Sequence, residues 1–469
     1  MLKRYFIFIL LGLAALAVAI YFMTGSTRPT RDVRDLVPVE QFRLSNGLTV
    51  VVMPNARIPV VTHMLIVKAG GADDPGGKSG LAHYLEHLMF TGTSTYAEGV
   101  YDRTIGRLGG AQNAFTTRDY TLYYATVGAE HLAQVMAMEA DRLTNLMISD
   151  AHAARELKVI SEERSTRVDN SAAAQLSEQL NALTFLNHPY HQPIIGWAED
   201  IATFTAADAR AFFDRHYRAS NMILLVAGDV TTRDVRRLTQ RYYGALPAGA
   251  AAARNWPSEP PARLTRRGEL TDARVNEPRL IRQYVAPSVA AGATAQALPL
   301  AVVAQYLGGG DSSALYQTLV REQKLATSVN VSYDPLSIGP ALLRIDAIPA
   351  AGITLEELET ALDRALTNLL AQPLNDAAVA RAKTLLIADI TFAQDGLESL
   401  ANVMAGLYAI GKNEQFFYGW SEAVEAVTPE AAREAARSVL VKKGHVTGYL
   451  KPETPAASVS PDGEVSDAR

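Results

Sequence analysis

Residues 83–87 read His-Tyr-Leu-Glu-His. On a helix, His83 and His87 stand at i and i+4, so both imidazoles leave one face, a turn apart. The flanking sequence supplies that helix, from about Ser79 to Thr91. Two imidazoles on one face are half of a tetrahedral zinc site, and a carboxylate is enough to complete the protein ligands. Glu86, three residues after His83, is close enough to take a proton from a water at such a site. The order His-x-x-Glu-His reverses the commoner His-Glu-x-x-His. With 9 histidines in 469 residues, a chance match is rare.

The chain is long enough for two or three domains with large cores. It contains no cysteine, so disulfides and thiolate metal sites are excluded and any metal must be held by His and carboxylate. A net charge of -5 offers no basic footprint, and no nucleic-acid partner is expected. Lys3 and Arg4 precede an uncharged apolar run from Tyr5 to Met23, YFIFILLGLAALAVAIYFM. Its length suits a bilayer span, and the basic residues before it predict a cytoplasmic start with an exported body. An uncleaved signal anchor in the inner membrane, with the body in the periplasm, is favoured over a cleaved signal peptide and a free periplasmic body.

Short strands are predicted in FRLSNGLTVVVMP, VVTHMLIVKAGG, AQNAF, DYTLYYATV and MILLVAGDV. Helices are predicted at about 97–108, 129–147, 150–168 and 206–216. After an Ala- and Pro-rich segment the plan repeats, with strands in LIRQYVAP, LATSVNVSYDP, PALLRIDAIP and HVTGYL. The reading is a signal anchor or signal peptide with a polar stalk over 1–38, a metal-bearing domain over 39–247 and a linker over 248–263. A second, metal-free domain covers 264–455, and a disordered tail covers 456–469. Only His445 lies in the second half, so the metal site cannot be duplicated there. The fold class is α+β: two homologous domains of mixed sheet plus helices, facing each other around a cleft.

A third metal ligand should be a carboxylate on another helix. RELKVISEERSTRVDN offers Glu156, Glu162 and Glu163. Glu156 and Glu163, seven apart, share a helix face, whereas Glu162 points about 100° away from Glu163.

The chain resembles the M16 peptidases, a family of inverted zinc peptidases, over about residues 40–455. The resemblance is carried by GLAHYLEHLMFTGT at 80–93, GGAQNAFTTRDYTLYYATV at 109–127 and RELKVISEER at 155–164. It extends through HPYHQPIIGWAEDI at 188–201 and FFDRHYRASNMILLVAGDV at 212–230. It implies one zinc per chain held by His83, His87 and Glu163, with Glu162 as the fallback ligand, Glu86 as general base and Glu156 orienting a ligand. It implies a sheet edge at AQNAF on which an extended peptide or unfolded segment adds as a strand, touching Asn113, Ala114 and Phe115. The Arg and Tyr that larger members bring from the second domain fall in register on Val320 and Thr327, leaving Arg321 and Tyr333 as neighbouring substitutes. The expected activity is zinc-dependent endopeptidase, in a homodimer or a heterodimer with a related chain. The rival readings are a non-catalytic peptide-binding or assembly subunit and a half-enzyme that needs a partner.

Overall fold

The computed structural model describes residues 38–250, 253–440 and 444–453. The apolar run 5–23 and the tail 456–469 lie outside these residues, as does the membrane attachment inferred from the former. No helix among the described residues is long and apolar enough to cross a membrane.

The first half runs β1 (Glu40–Arg43), β2 (Thr49–Pro54), β3 (Val60–Val67), α1 (Leu81–Leu88), α2 (Val100–Arg107), β4 (Ala111–Thr116) and β5 (Thr121–Gly128). It continues with α3 (Leu132–Asn145), α4 (Asp150–Arg164), α5 (Ala172–Thr184), α6 (Ala206–His216), β6 (Met222–Gly228) and α7 (Thr232–Tyr243). Its strands form one sheet in the order β1-β2-β6-β3-β5-β4. The β2–β6 pair is parallel and the others antiparallel. β6, MILLVAG, is buried at every position, as an apolar strand flanked on both sides and covered on both faces must be. β4, AQNAFT, alternates exposed and half-buried residues at the sheet edge.

The second half contains β7 (Arg266–Asp272), β8 (Arg279–Ala286), α8 (Thr294–Gly308), β9 (Ala326–Tyr333), β10 (Ala341–Pro349), α9 (Leu355–Ala371) and α10 (Asp376–Ala393). α11 (Leu397–Ala409), α12 (Glu414–Glu425), α13 (Pro429–Leu440) and β11 (Val446–Pro452) complete it. The sheet order is β7-β11-β8-β10-β9, with β7 and β11 parallel. Setting β1 aside, both halves therefore share one topology. The last strand returns beside the first and parallel to it, and the third strand is left at the edge.

The halves are locked together by an exchange of helices. α5 belongs to the first half in sequence, yet its Leu176 and Leu180 pack on Ile281, Val446 and Leu450 of the second sheet. Gln283 anchors the same contact, accepting from the Thr184 hydroxyl (2.9 Å) and donating to Asn181 (3.1 Å). In return, α11 lies on β3 and β6, and its Glu398 accepts from Thr126 of β5 (3.0 Å). The sequence reading contained neither helix, nor α7 or β7. A second tie holds the β4–β5 turn. Asp119 accepts from the Tyr190 hydroxyl and from the Ile338 amide (3.0 Å), and Tyr190 in turn accepts from the Gly339 amide (2.9 Å).

The α5 contact is tight enough to test. A Cβ at Gly448 of β11 would lie 2.5 Å from Leu180 Cδ1, and Leu180 is fully buried. Gly448→Ala is expected to cost about 1–3 kcal/mol, and Leu180→Ala about 2–5 kcal/mol. The double variant should lose less than the sum in urea denaturation, because the shortened side chain makes room for the new methyl. Strict additivity would mean that the two residues do not meet.

Candidate active site

α1 is short and held hard at its start. Asp74 accepts from the Gly80 amide (2.7 Å) through one oxygen and from the Ala82 amide (2.8 Å) through the other. An anion there also complements the positive end of the helix dipole. Burial nonetheless pushes the Asp74 carboxyl well up, against the pull of these amide donors. Gly80 has φ +91°, and a Cβ on it would lie 2.5 Å from the Ile195 carbonyl, so only glycine fits. Ser79 donates to Asp200 (2.6 Å), which ties the same corner to the short helix at Ala198–Ile201. Between the two histidines, the buried Tyr84 donates to the Ala153 carbonyl (2.7 Å) and fixes α1 against α4.

This packing brings His83 and His87 over the carboxylates of α4. The imidazoles stand edge to face, with centroids 4.8 Å apart. Glu163 Oε2 lies 3.6 Å from His83 Nε2 and 3.3 Å from His87 Nε2. One donor atom from each of the three falls within 4.8 Å of the others. Glu163 Oε2 is buried without a hydrogen-bond partner among the described residues. Tetrahedral ligands at zinc distances of about 2.0–2.1 Å would lie about 3.3 Å from one another. The donor set, its spacing and the orphaned oxygen therefore fit a zinc ion. Glu162, the adjacent alternative, is exposed and outside this group.

Glu156 sits behind His87, its Oε2 3.7 Å from Nδ1. Burial works against protonation of His87, but the neighbouring Glu156, Glu163 and Glu86 carboxylates outweigh it and raise its pKa. His83 moves the other way, lowered to about 3 by burial and by the charges of His87 and Arg167. Burial raises the pKa of Glu86. Glu86 accepts from the Thr116 hydroxyl (2.6 Å), a bond that opposes the shift.

A cleft of about 1060 Å³ opens over these residues. Asn113, Ala114 and Phe115 of β4 line it, with Asn113 and Phe115 on the exposed face of the strand. Every residue lining the cleft falls between His83 and Ile195, so the second half contributes none. Arg321 and Tyr333 are accordingly not brought to the histidines. Arg321 lies over the Tyr316 ring (5.8 Å to the centroid), and the Tyr333 hydroxyl donates to the Pro287 carbonyl (2.5 Å).

Two residues at the site were absent from the sequence reading. Thr116 shares a strand face with Ala114 by simple alternation, which turns it toward Glu86. Arg167 follows Glu163 by four and binds its other oxygen, Oε1 (2.6 Å), from a π-turn that continues α4. Both spacings could be read from the sequence.

Residues 49–197 match the family model for insulinase, peptidase family M16, and residues 203–386 match that for the peptidase M16 inactive domain. The zinc protease PqqE of Helicobacter pylori is 33% identical over 208 residues, which are 44% of this chain and 47% of that protein. The chain thus spans less than half of that relative. The mitochondrial-processing peptidase subunit beta of Blastocladiella emersonii is 27% identical over 410 residues, 85% of each protein. A crystal structure of a protease from Helicobacter pylori superposes with a TM-score of 0.83 at 26% identity, covering 89% of this chain and all of the other. With both family models in order over most of its length and the histidine pair, Glu86 and Glu163 assembled at one cleft, this chain belongs to the M16 peptidase family.

Proposed function

We propose that the protein is a zinc-dependent endopeptidase acting on extended peptides or unfolded segments. The observation that carries this reading is the convergence of His83, His87 and Glu163 beside a separate, buried carboxylate, Glu86. The three ligands would hold one zinc, and Glu156 would orient His87 from behind. Zinc bound there supplies Lewis acidity to the attacking water and the scissile carbonyl. Glu86 takes the proton of the attacking water and returns it to the leaving amine. Thr116 holds the carboxyl in place by bonding one oxygen and leaving the other free. The open edge of β4 accepts the substrate backbone as an added strand, which selects extended chains and tolerates varied sequence.

A half-enzyme completed by a second chain is the other reading that an observation favours. The cleft is walled by residues 83–195 alone, and the Blastocladiella relative is itself named as a subunit. Placing the body outside the cytoplasm, anchored in the inner membrane, rests on residues 5–23 only.

Metal analysis after dialysis separates the two adjacent glutamates. Glu163→Gln is expected to lose zinc, whereas Glu162→Gln retains one per chain. Loss in both variants would remove the assignment of Glu163. Glu86→Gln should keep its zinc and lose about 10²–10⁴-fold in kcat on a mixed peptide library. Zinc-loaded protein that cleaves nothing alone, but gains activity with a related chain, would establish the half-enzyme.

A further inference from the structure

A second cavity, of about 390 Å³, lies at the seam between the halves. Arg118 and Asn181 reach it from the first half, and Gln283, Tyr333, Asp334 and Arg344 from the second. Arg118 sits in the β4–β5 turn, two residues past Thr116, which bonds Glu86. Its guanidinium is the unsatisfied group here. Nε is buried without a hydrogen-bond partner among the described residues. Its contact is with a π face: Cζ stands 5.4 Å from the Tyr190 ring centroid.

The arginine and the glutamine across the cavity are committed. Arg344 is spent on Asp346 (2.6 Å) and the Ser177 hydroxyl (3.1 Å). Gln283 is bonded through both ends, to Thr184 and to Asn181 Oδ1. This leaves the Asn181 amide donors turned away from Gln283. Asp334 caps the Leu336 amide (2.9 Å) and does not pair with Arg118. The turn that carries Arg118 is itself held, because Asp119 beside it is tied to Tyr190 and Ile338. A guanidinium fixed at a cavity wall with no acceptor is costly unless an anion meets it.

We propose that this cavity is a carboxylate-binding subsite, in which Arg118, assisted by the Asn181 amide, takes a carboxylate of the peptide laid along β4. The proposal rests on the reading of β4 as the substrate-bearing edge. An extended strand covers two residues in about 7 Å. The recognised group therefore lies a short way along the peptide from the reacting bond. It is either the free C-terminal carboxylate or an Asp or Glu side chain, and both present the same chemistry to Arg118.

The test uses the full zinc-loaded chain carrying Glu86→Gln and fluorescent decapeptides in matched pairs. One set compares free acid with C-terminal amide. The other compares Glu with Gln at successive positions. With Arg118 intact, the charged member of one set should bind about tenfold more tightly than its neutral twin. Adding Arg118→Gln should bring that ratio to near one, and Arg118→Lys should keep part of it. A ratio taken within one variant does not depend on how much of it folds. The set that responds identifies the source of the carboxylate. Equal binding throughout with Arg118 intact, or a ratio that survives Arg118→Gln, overturns the proposal. Cleavage of the amide and Gln peptides by the unsubstituted chain reports separately on the peptidase reading.

Discussion

The Tyr84 hydroxyl on the Ala153 carbonyl sets the separation of the two helices on which the site depends. α1 carries the imidazoles and the candidate base; α4 carries the carboxylates. Neither helix alone gathers three donors. Tyr84 also lies between the histidines in sequence, so its anchorage on α4 holds the stretch of helix that carries both imidazoles. The start of α1 is fixed independently by Asp74 and by the Gly80 contact. Helix direction and helix separation are thus set by different residues, and both are needed to bring Glu163 Oε2 within 3.6 Å of two ring nitrogens.

Electrostatics at the site follows from this burial. The two histidines, one turn apart, are pushed in opposite directions: His83 by its dry surroundings, His87 by carboxylates on three sides. Arg167 on the outer oxygen of Glu163 leaves the inner one to face the imidazoles. The carboxylates likewise divide their tasks by environment. Glu163 faces the ring nitrogens, Glu156 stands behind one of them, and Glu86 is held by Thr116.

What could be read from the sequence is what is local in the chain. The histidine pair needs five residues of helix, the pairing of Glu156 with Glu163 needs two turns of one, and the edge character of AQNAF needs an alternation. The repeated element order was also legible for the strands that carry their own apolar run, whereas β7, RRGELTD, carries none and was missed. Among the helices that were missed, α5 and α11 have apolar faces that answer to a sheet in the opposite half. Leu180 has its reason at Gly448, and no window along the chain contains both. Arg321 and Tyr333 failed to reach the histidines for a related reason. They were named as neighbours of Val320 and Thr327, on which the register of larger family members falls, whereas the cleft is lined by the first half alone.

The exchange of α5 and α11 bears on how such a chain could arise. Each sheet is covered on one face by a helix that the other half encodes, which is the arrangement of two separate chains that have swapped an element. The linker 248–263 keeps the partners at high effective concentration and also packs on the first half, where Arg254 pairs with Asp73 (2.9 Å) and Glu259 accepts from the Asn187 and His188 amides (3.0 Å each). A chain severed there would still hold, in its two pieces, every surface needed to find itself again.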